Sequence, residues 1–463
     1  MRKISRRGFL GAVGAGAAAA ALSRGVRAAP VPAGKRNIVF IITDDQRYGT
    51  IGALGGEPVK TPALDSLVRQ GTAFTNPYIM GGTGGAICIS SRAMFLTGRS
   101  LWHAPNDCGD FPLWPQVMKD AGYETYGIGK WHNGPASYAR CFTGGANIFF
   151  GGMSNHLKVP VQDFDPSGKY PKTAEHEGGK FSSELFADSA VEFLRRRKGE
   201  KPFFLYLAFT APHNPRMAPE PYASMYPPDG IPLPKNFMPE HPFDNGELRG
   251  RDENLAPHPR TPEVVRRHVA DYYGMITHMD AQIARVLAAV DETGRARDAI
   301  VVMAGDNGLA LGQHGLFGKQ NVYEHSVRVP LVIRGPGIPA GERRDAFVYL
   351  HDIFPTVCEM TGVPVPETVE GKSLAGVVAG RTKAVRDTVF AAFRNLQRMV
   401  RDERYKLIRY TVRGETRTQL FDLQADPWEL TDLSADAGSA THLAALEARL
   451  KAWQKEAGDP LAS

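Results

Sequence analysis

Apolar runs that finish in polar residues recur along this chain. "NIVFIITDD" (37–45), "YETYGIGK" (123–130), "FFLYLAFTAP" (203–212) and "AIVVMAGDNG" (299–308) each read as a buried strand. Helical patterns lie between them. "TPALDSLVRQG" (61–71) predicts a helix with Thr61 as N-cap, Pro62 in its first turn and Gly71 at its end. Residues 262–294 predict a long helix with Val269, Tyr272, Tyr273, Ile276, Met279, Ile283 and Leu287 on one face. Buried strands alternating with helices predict an α/β fold, a large mixed, mostly parallel sheet sandwiched by helices. After residue 385 the pattern changes. "TVFAAF" and "RMVRDERYKLIRY" read as antiparallel strands, and "THLAALEARLKAWQKEAG" as a helix with Leu443, Leu446, Leu450 and Trp453 on one stripe. A smaller C-terminal α+β subdomain is therefore expected over 386–463, beside a main domain over 30–385. The proline-rich stretch 215–262 reads as a long loop of the kind that covers a site.

Three of the strands run into Asp44-Asp45, Lys130-Trp131-His132 and Asp306-Asn307. In open α/β sheets, sites form at the carboxyl ends of strands, so these residues are candidates for one shared site. Asp44, Asp45, Asp306 and Asn307 offer only oxygen ligands, the preference of a hard cation such as Ca²⁺ or Mg²⁺. A single acidic pair at a strand end can equally cap a helix or face solvent. Two pairs, both closing apolar strands, favour the metal. Arg92, Lys130, His132, His213 and Lys319 gathered around that cation make a pocket for a multi-oxygen anion, with proton donors at hand. Trp131, between Lys130 and His132, is expected to pack into the core.

Charge changes the picture at the N-terminus. The 463 residues carry a formal net charge of +6 and a sequence pI near 9.0. Residues 1–29 hold six of the 55 basic residues and none of the 49 acidic ones, so the rest is balanced at 49 of each. Basic character therefore gives no support to nucleic-acid binding. In the same segment Arg6-Arg7, followed by Gly-Phe-Leu, an apolar stretch and "VRAAP", resembles a twin-arginine signal peptide. It implies the twin-arginine translocase as a partner and a periplasmic or secreted protein. Cys88, Cys108, Cys141 and Cys358 show no C-x-x-C spacing, which disfavours a zinc or thioredoxin-like site. In an oxidising compartment a Cys108–Cys141 disulfide is one option.

Taken together, "NIVFIITDDQR", "GKWHNG", "KPFFLYLAFTAPHNP", "GDNGLALGQHGLFGKQNVYEHSVRVPLVIRGPG" and "LFDLQADPWELTDL" resemble the sulfatases of the alkaline phosphatase superfamily. The resemblance spans nearly all of the chain beyond residue 29. It implies an alkaline-phosphatase-like fold and hydrolysis of a sulfate ester to an alcohol and inorganic sulfate. By this resemblance Asp44, Asp45, Asp306 and Asn307 bind one calcium (or magnesium) ion. Lys130, His132, His213 and Lys319 contact the sulfate, and Arg92 stabilises the nucleophile. His314 in "GQHG" and His156 in "GGMSNH" are candidates for contact with substrate, with hydrogen-bonded loop histidines as the alternative. His103 and His325 are read as structural.

Cys88 then stands first in the family signature C-x-P-S-R-x-x-x-L-T-G-R. In the family this residue is oxidised to formylglycine, so a formylglycine-generating enzyme is a further implied partner. The hydrated aldehyde has two geminal hydroxyls. One attacks sulfur; the other collapses to expel sulfate, an exit that a thiol or an alcohol lacks. This chain has Ser90 where the signature has proline, while Arg92 and Leu96-Thr97-Gly98-Arg99 are in place. Two other readings stand beside this one: a phosphodiesterase or phosphonate monoester hydrolase of the same superfamily, and an unmodified protein that binds sulfated glycans without cleaving them. A carbohydrate sulfate is the expected substrate, with specificity set by loops 135–180 and 213–262.

Overall fold

The computed structural model describes residues 36–462; the predicted signal peptide, residues 1–29, lies outside them. The strand Asn37–Thr43 is buried along its whole length. Its side chains alternate between two cores, Ile38, Phe40 and Ile42 entering one and Val39 and Ile41 the other. The first core also holds Phe95 and Leu96 of the helix Ile87–Thr97, with Trp114 and Phe354. The second holds Phe186 and Leu194 of the helix Ser182–Arg196, and Met279 and Ile283 of the helix Pro262–Glu292. Helices thus cover both faces of the strand, which is why its sequence is apolar without alternation.

Eight strands form this sheet, in the order Glu342–Tyr349, Thr72–Tyr78, Leu331–Arg334, Ala299–Gly305, Asn37–Thr43, Phe203–Ala208, Glu124–Lys130, Gly144–Phe149. Neighbours pair in parallel except at Leu331–Arg334, which runs against the strands on either side of it. One reversed strand makes the sheet mixed, as expected. The four strands Ala299–Gly305, Asn37–Thr43, Phe203–Ala208 and Glu124–Lys130 are consecutive in the sheet. Their carboxyl ends therefore lie side by side.

A second sheet is built from the antiparallel strands Val389–Phe393, Gln397–Arg401, Tyr405–Val412 and Glu415–Asp422. The helix Ala440–Glu456 buries Leu446, Leu450 and Trp453 against it, and Trp453 stacks on Phe390 with ring centroids 4.8 Å apart. Its fifth strand comes from far upstream: Gly81–Gly82 pairs in parallel with Ala392–Phe393. Gly81 has φ +82°, and a Cβ there would lie 2.0 Å from the Ala392 carbonyl oxygen, so only glycine allows this approach. The segment that leads into Cys88 is thereby pinned to the C-terminal sheet. The two sheets share one continuous hydrophobic core.

Local details depart from the sequence reading in three places. Thr61 holds the N-cap position of the helix Pro62–Gln70, as expected, but its side chain caps no helix amide; its hydroxyl donates to Asp65 at 3.0 Å. The helix is capped instead by Asp280, whose carboxylate accepts from the amides of Ala63 (3.0 Å) and Leu64 (2.8 Å). Four strands of the main sheet, Thr72–Tyr78, Gly144–Phe149, Leu331–Arg334 and Glu342–Tyr349, were not predicted. All four cysteines are free and buried, so Cys108 and Cys141 form no disulfide.

Candidate active site

Four strand ends and one helix build the site. Asp44 and Asp45 follow Asn37–Thr43, Lys130 closes Glu124–Lys130, and Asp306 and Asn307 follow Ala299–Gly305. His213 sits in the loop after Phe203–Ala208. Each chain turns sharply as it leaves the sheet. Asp45 (φ 66°) and His132 (φ 72°) are left-handed, a conformation their surroundings must hold. For Asp45 those holds are visible. Its carbonyl accepts from the Tyr272 hydroxyl at 2.6 Å, and its amide donates to Asp306 Oδ1 at 3.1 Å. Before Lys130 the pairing with Gly144–Phe149 slips by one residue at Gly129 (φ +81°), where a Cβ would meet the Ala208 carbonyl oxygen at 2.0 Å.

Cys88 lies in the first turn of the helix Ile87–Thr97, whose N-cap, Ala86, supplies no side-chain acceptor. Amides at such an end favour an anion in front of them. Arg92, one turn on, lies on the same side of the helix. It is fully buried and donates from Nε to Asp306 Oδ2 (2.9 Å), and from Nη1 to the Lys130 carbonyl (2.8 Å) and the Tyr206 hydroxyl (3.1 Å). Lys130 Nζ pairs with Asp44, donates to the Gly152 carbonyl at 2.6 Å, and lies 3.7 Å from Cys88 Sγ. Lys319 Nζ meets Asp45 Oδ1 at 2.6 Å. His132 Nδ1 is 3.4 Å from Cys88 Sγ.

Burial and charge set the protonation states. Burial raises the Asp44 carboxyl, but Lys130, His213, Arg92 and Lys319 outweigh it and hold Asp44 well below the usual carboxylate range. Asp306 is pushed up by burial and by the Asp44 charge, against the pull of Arg92. Burial, then Lys130 and Arg92, push His132 down to about 2. Burial also lowers His213. Both imidazoles are therefore neutral at neutral pH. The Cys88 thiol is raised by burial despite the nearby lysines, so as a cysteine it stays protonated and is a poor nucleophile.

The donor set fits a divalent cation. Asp44 Oδ1 and Asn307 Oδ1 are buried acceptors with no hydrogen-bond partner. Asn307 donates Nδ2 to Asp45 Oδ1 at 2.7 Å, which settles which end of its amide is free. His213 Nδ1 faces the Asn214 carbonyl at 2.7 Å and so carries the proton. Its unprotonated Nε2, also without a partner, is 3.7 Å from Asp45 Oδ2. Ligand atoms of Asp44, Asp45 and His213 lie within 4.8 Å of one another. Lone pairs this close, together with the unpartnered oxygens, are compatible with a cation between them.

All ten residues of the predicted metal, anion and nucleophile sets thus meet in one place. The two further histidines are buried. His156 bonds Ser182 Oγ at 2.8 Å and the His213 carbonyl at 2.9 Å, directly behind His213. His314 contacts Asn236 Nδ2 at 3.1 Å and stacks on Tyr323 with centroids 4.0 Å apart. Sequence reasoning did not single out Gly152, whose functional atom is a carbonyl. It also missed Tyr206, a polar atom inside an apolar strand, and Glu253, which accepts from the amides of Phe317 and Gly318 (both 2.9 Å) beside Lys319. Glu253 is one of seven acidic residues in the 215–262 loop, so nothing in the sequence set it apart. Ser90, at the signature's proline position, is buried and donates to Asn106 Oδ1 at 2.9 Å.

Comparison with known proteins bears directly on this geometry. The family model described as Sulfatase matches residues 36–363, and that described as N-sulphoglucosamine sulphohydrolase, C-terminal, matches residues 312–456. An arylsulfatase of Clostridium perfringens is 31% identical over 440 residues, covering 86% of this chain and 90% of that protein. An N-acetylglucosamine-6-O-sulfatase of Bacteroides thetaiotaomicron is 26% identical over 500 residues, covering 91% and 87%. Among solved structures, one in complex with its substrate D-glucosamine-2-N,6-O-disulfate superposes with a TM-score of 0.76 at 24% identity. It covers 92% of this chain and 99% of that one.

Proposed function

The chain belongs to the sulfatase family, within the alkaline phosphatase superfamily, and from that premise we propose that it is an exported hydrolase of a carbohydrate sulfate ester. The reading includes a formylglycine derived from Cys88 and one divalent cation, calcium or magnesium, held by Asp44, Asp45, Asp306 and Asn307. One observation carries it: unpartnered buried oxygens of Asp44 and Asn307 lie among carboxylates paired to Lys130 and Lys319, beside a residue at a helix N-terminus. The relative named for N-acetylglucosamine 6-sulfate supports a sugar as the alcohol. The Arg6-Arg7 segment supports export.

When present, formylglycine supplies a hydrated aldehyde nucleophile with its own leaving route, and the cation lowers the charge cost of bringing a sulfate up to it. The remaining work belongs to side chains described above. Lys130 and Lys319 face the position of Cys88 Sγ from within the buried pocket and attract sulfate oxygens. Arg92 offsets Asp306 and fixes the helix that carries residue 88. Neutral His132 has its Nδ1 3.4 Å from the nucleophile position, within reach of a hydrogen bond to the group that stands there. His213, protonated at Nδ1, has Nε2 free to accept. Neither imidazole can give a proton to the departing alcohol until it has first gained one.

The test is release of inorganic sulfate from glucosamine 6-O-sulfate and 4-nitrophenyl sulfate by protein purified from a host that makes formylglycine. Turnover of both is expected, with loss in the Lys319→Ala variant. A marked preference for the matching phosphonate monoester overturns the sulfatase reading in favour of a phosphonate hydrolase. No turnover of either class by modified protein favours a glycan binder.

A further inference from the structure

Five large apolar side chains are exposed among the described residues, and two of them share one loop beside the site: Met153 (56% exposed) and Leu157 (51%). Residues 151–158 are fastened to groups of the site and to the buried start of the helix Ser182–Arg196. The Gly152 carbonyl accepts from Lys130 Nζ at 2.6 Å. No side chain fits at Gly152, because a Cβ there would lie 2.7 Å from His132 Nε2. Asn214, next to His213, donates Nδ2 to Met153 Sδ at 3.0 Å. His156, between the two exposed residues, holds the His213 carbonyl at 2.9 Å and Ser182 at 2.8 Å. The Leu157 amide donates to Asn155 Oδ1 at 2.8 Å, which fixes the final turn.

The pair is thus held in water by contacts to Lys130, His132 and His213, the groups assigned to the sulfate. Leaving apolar surface exposed forgoes the favourable free energy that burial against a partner recovers. We propose that Met153 and Leu157 form the contact for the alcohol part of the substrate, packing on the apolar face of the ring that bears the sulfate. This rests on the sulfatase reading. The sulfate is gripped from one side by charged groups, and the ring lies on thioether and isobutyl surface, which adapts to more than one ring.

The experiment uses the modified, metal-loaded enzyme and two probes. 4-Nitrophenyl sulfate carries a ring and inorganic sulfate does not. In the Met153→Ala/Leu157→Ala variant the KM for the ester rises about tenfold, the scale of losing apolar contact in a specificity pocket. The inhibition constant of inorganic sulfate stays at the wild-type value. Met153→Leu, which keeps the apolar surface, restores most of the loss when combined with wild-type Leu157. An unchanged KM overturns the contact. So does a parallel shift of KM and the sulfate constant, which means that the loop acts only by shaping the sulfate pocket. Absence of any turnover by wild-type enzyme overturns the sulfatase reading itself, and this proposal with it.

Discussion

Replacing Arg92 by Met tests whether the buried Arg92–Asp306 pair holds the site together. Arg92 and Asp306 are both fully buried, and the guanidinium also serves the Lys130 carbonyl and the Tyr206 hydroxyl. Removing one partner of a buried pair leaves an uncompensated charge and costs roughly 3–5 kcal/mol. The Lys130 carbonyl is partly spared, since Tyr206 also donates to it at 3.4 Å. The expected loss for Arg92→Met is therefore about 3–5 kcal/mol at pH 8. Adding Asp306→Asn removes the stranded charge, so the double variant is more stable than Arg92→Met alone. The pH dependence has a definite sign. Burial and Asp44 already raise Asp306, so its protonated form is favoured by folding, and loss of Arg92 raises it further. The Arg92→Met deficit therefore shrinks as pH falls from 8 to 5. The assay is urea unfolding followed by tryptophan fluorescence, with EDTA present throughout. A deficit below about 1 kcal/mol, or single losses that simply add in the double variant, refutes the reasoning.

Three other outcomes follow from particular contacts. Asp280, raised by burial to about 6 while capping Ala63 and Leu64, contributes stability that is complete below pH 4 and is lost as pH rises to about 6. Wild type therefore shows a decline of about 3 kcal/mol over that window that is absent from Asp280→Asn, measured by urea midpoints at each pH. Calcium added at about 100 times its dissociation constant stabilises the chelated protein by about 2.7 kcal/mol. The increment, read by calorimetry, disappears in Asp44→Asn. Gly129→Ala places a side chain at φ +81° against the Ala208 carbonyl. Backbone strain alone costs on the order of 1–3 kcal/mol, and sulfate release falls because Lys130 is displaced.

The site was legible because its chemistry sits where apolar runs stop. Asp44-Asp45, Lys130 and Asp306-Asn307 each break a pattern that a buried strand otherwise continues, and adjacent strand ends bring them together. Elements whose role depends on a distant partner carried no such mark. Gly81–Gly82 is a strand only because Ala392–Phe393 lies beside it, and Asp280 is a cap only because Ala63 and Leu64 approach it. The reversed strand Leu331–Arg334 was not singled out, since four apolar-rich residues do not reveal a direction. Gly152 acts through a backbone carbonyl, which every residue has. Met153 and Leu157 have meaning only once the loop is seen fastened to Lys130 and His213.

The central claim concerns residue 88. Its thiol is raised by burial, so an unmodified cysteine there is protonated and weak, although the metal-type ligands, both lysines and Arg92 are all in place around it. Ser90 replaces the signature proline and occupies its buried position with a single bond to Asn106, leaving the helix Ile87–Thr97 intact. Mass spectrometry of the peptide spanning residues 85–99, from active protein, tests the claim most directly. The account predicts formylglycine at position 88, in proportion to specific activity across preparations. Full activity with an unmodified Cys88 thiol contradicts it.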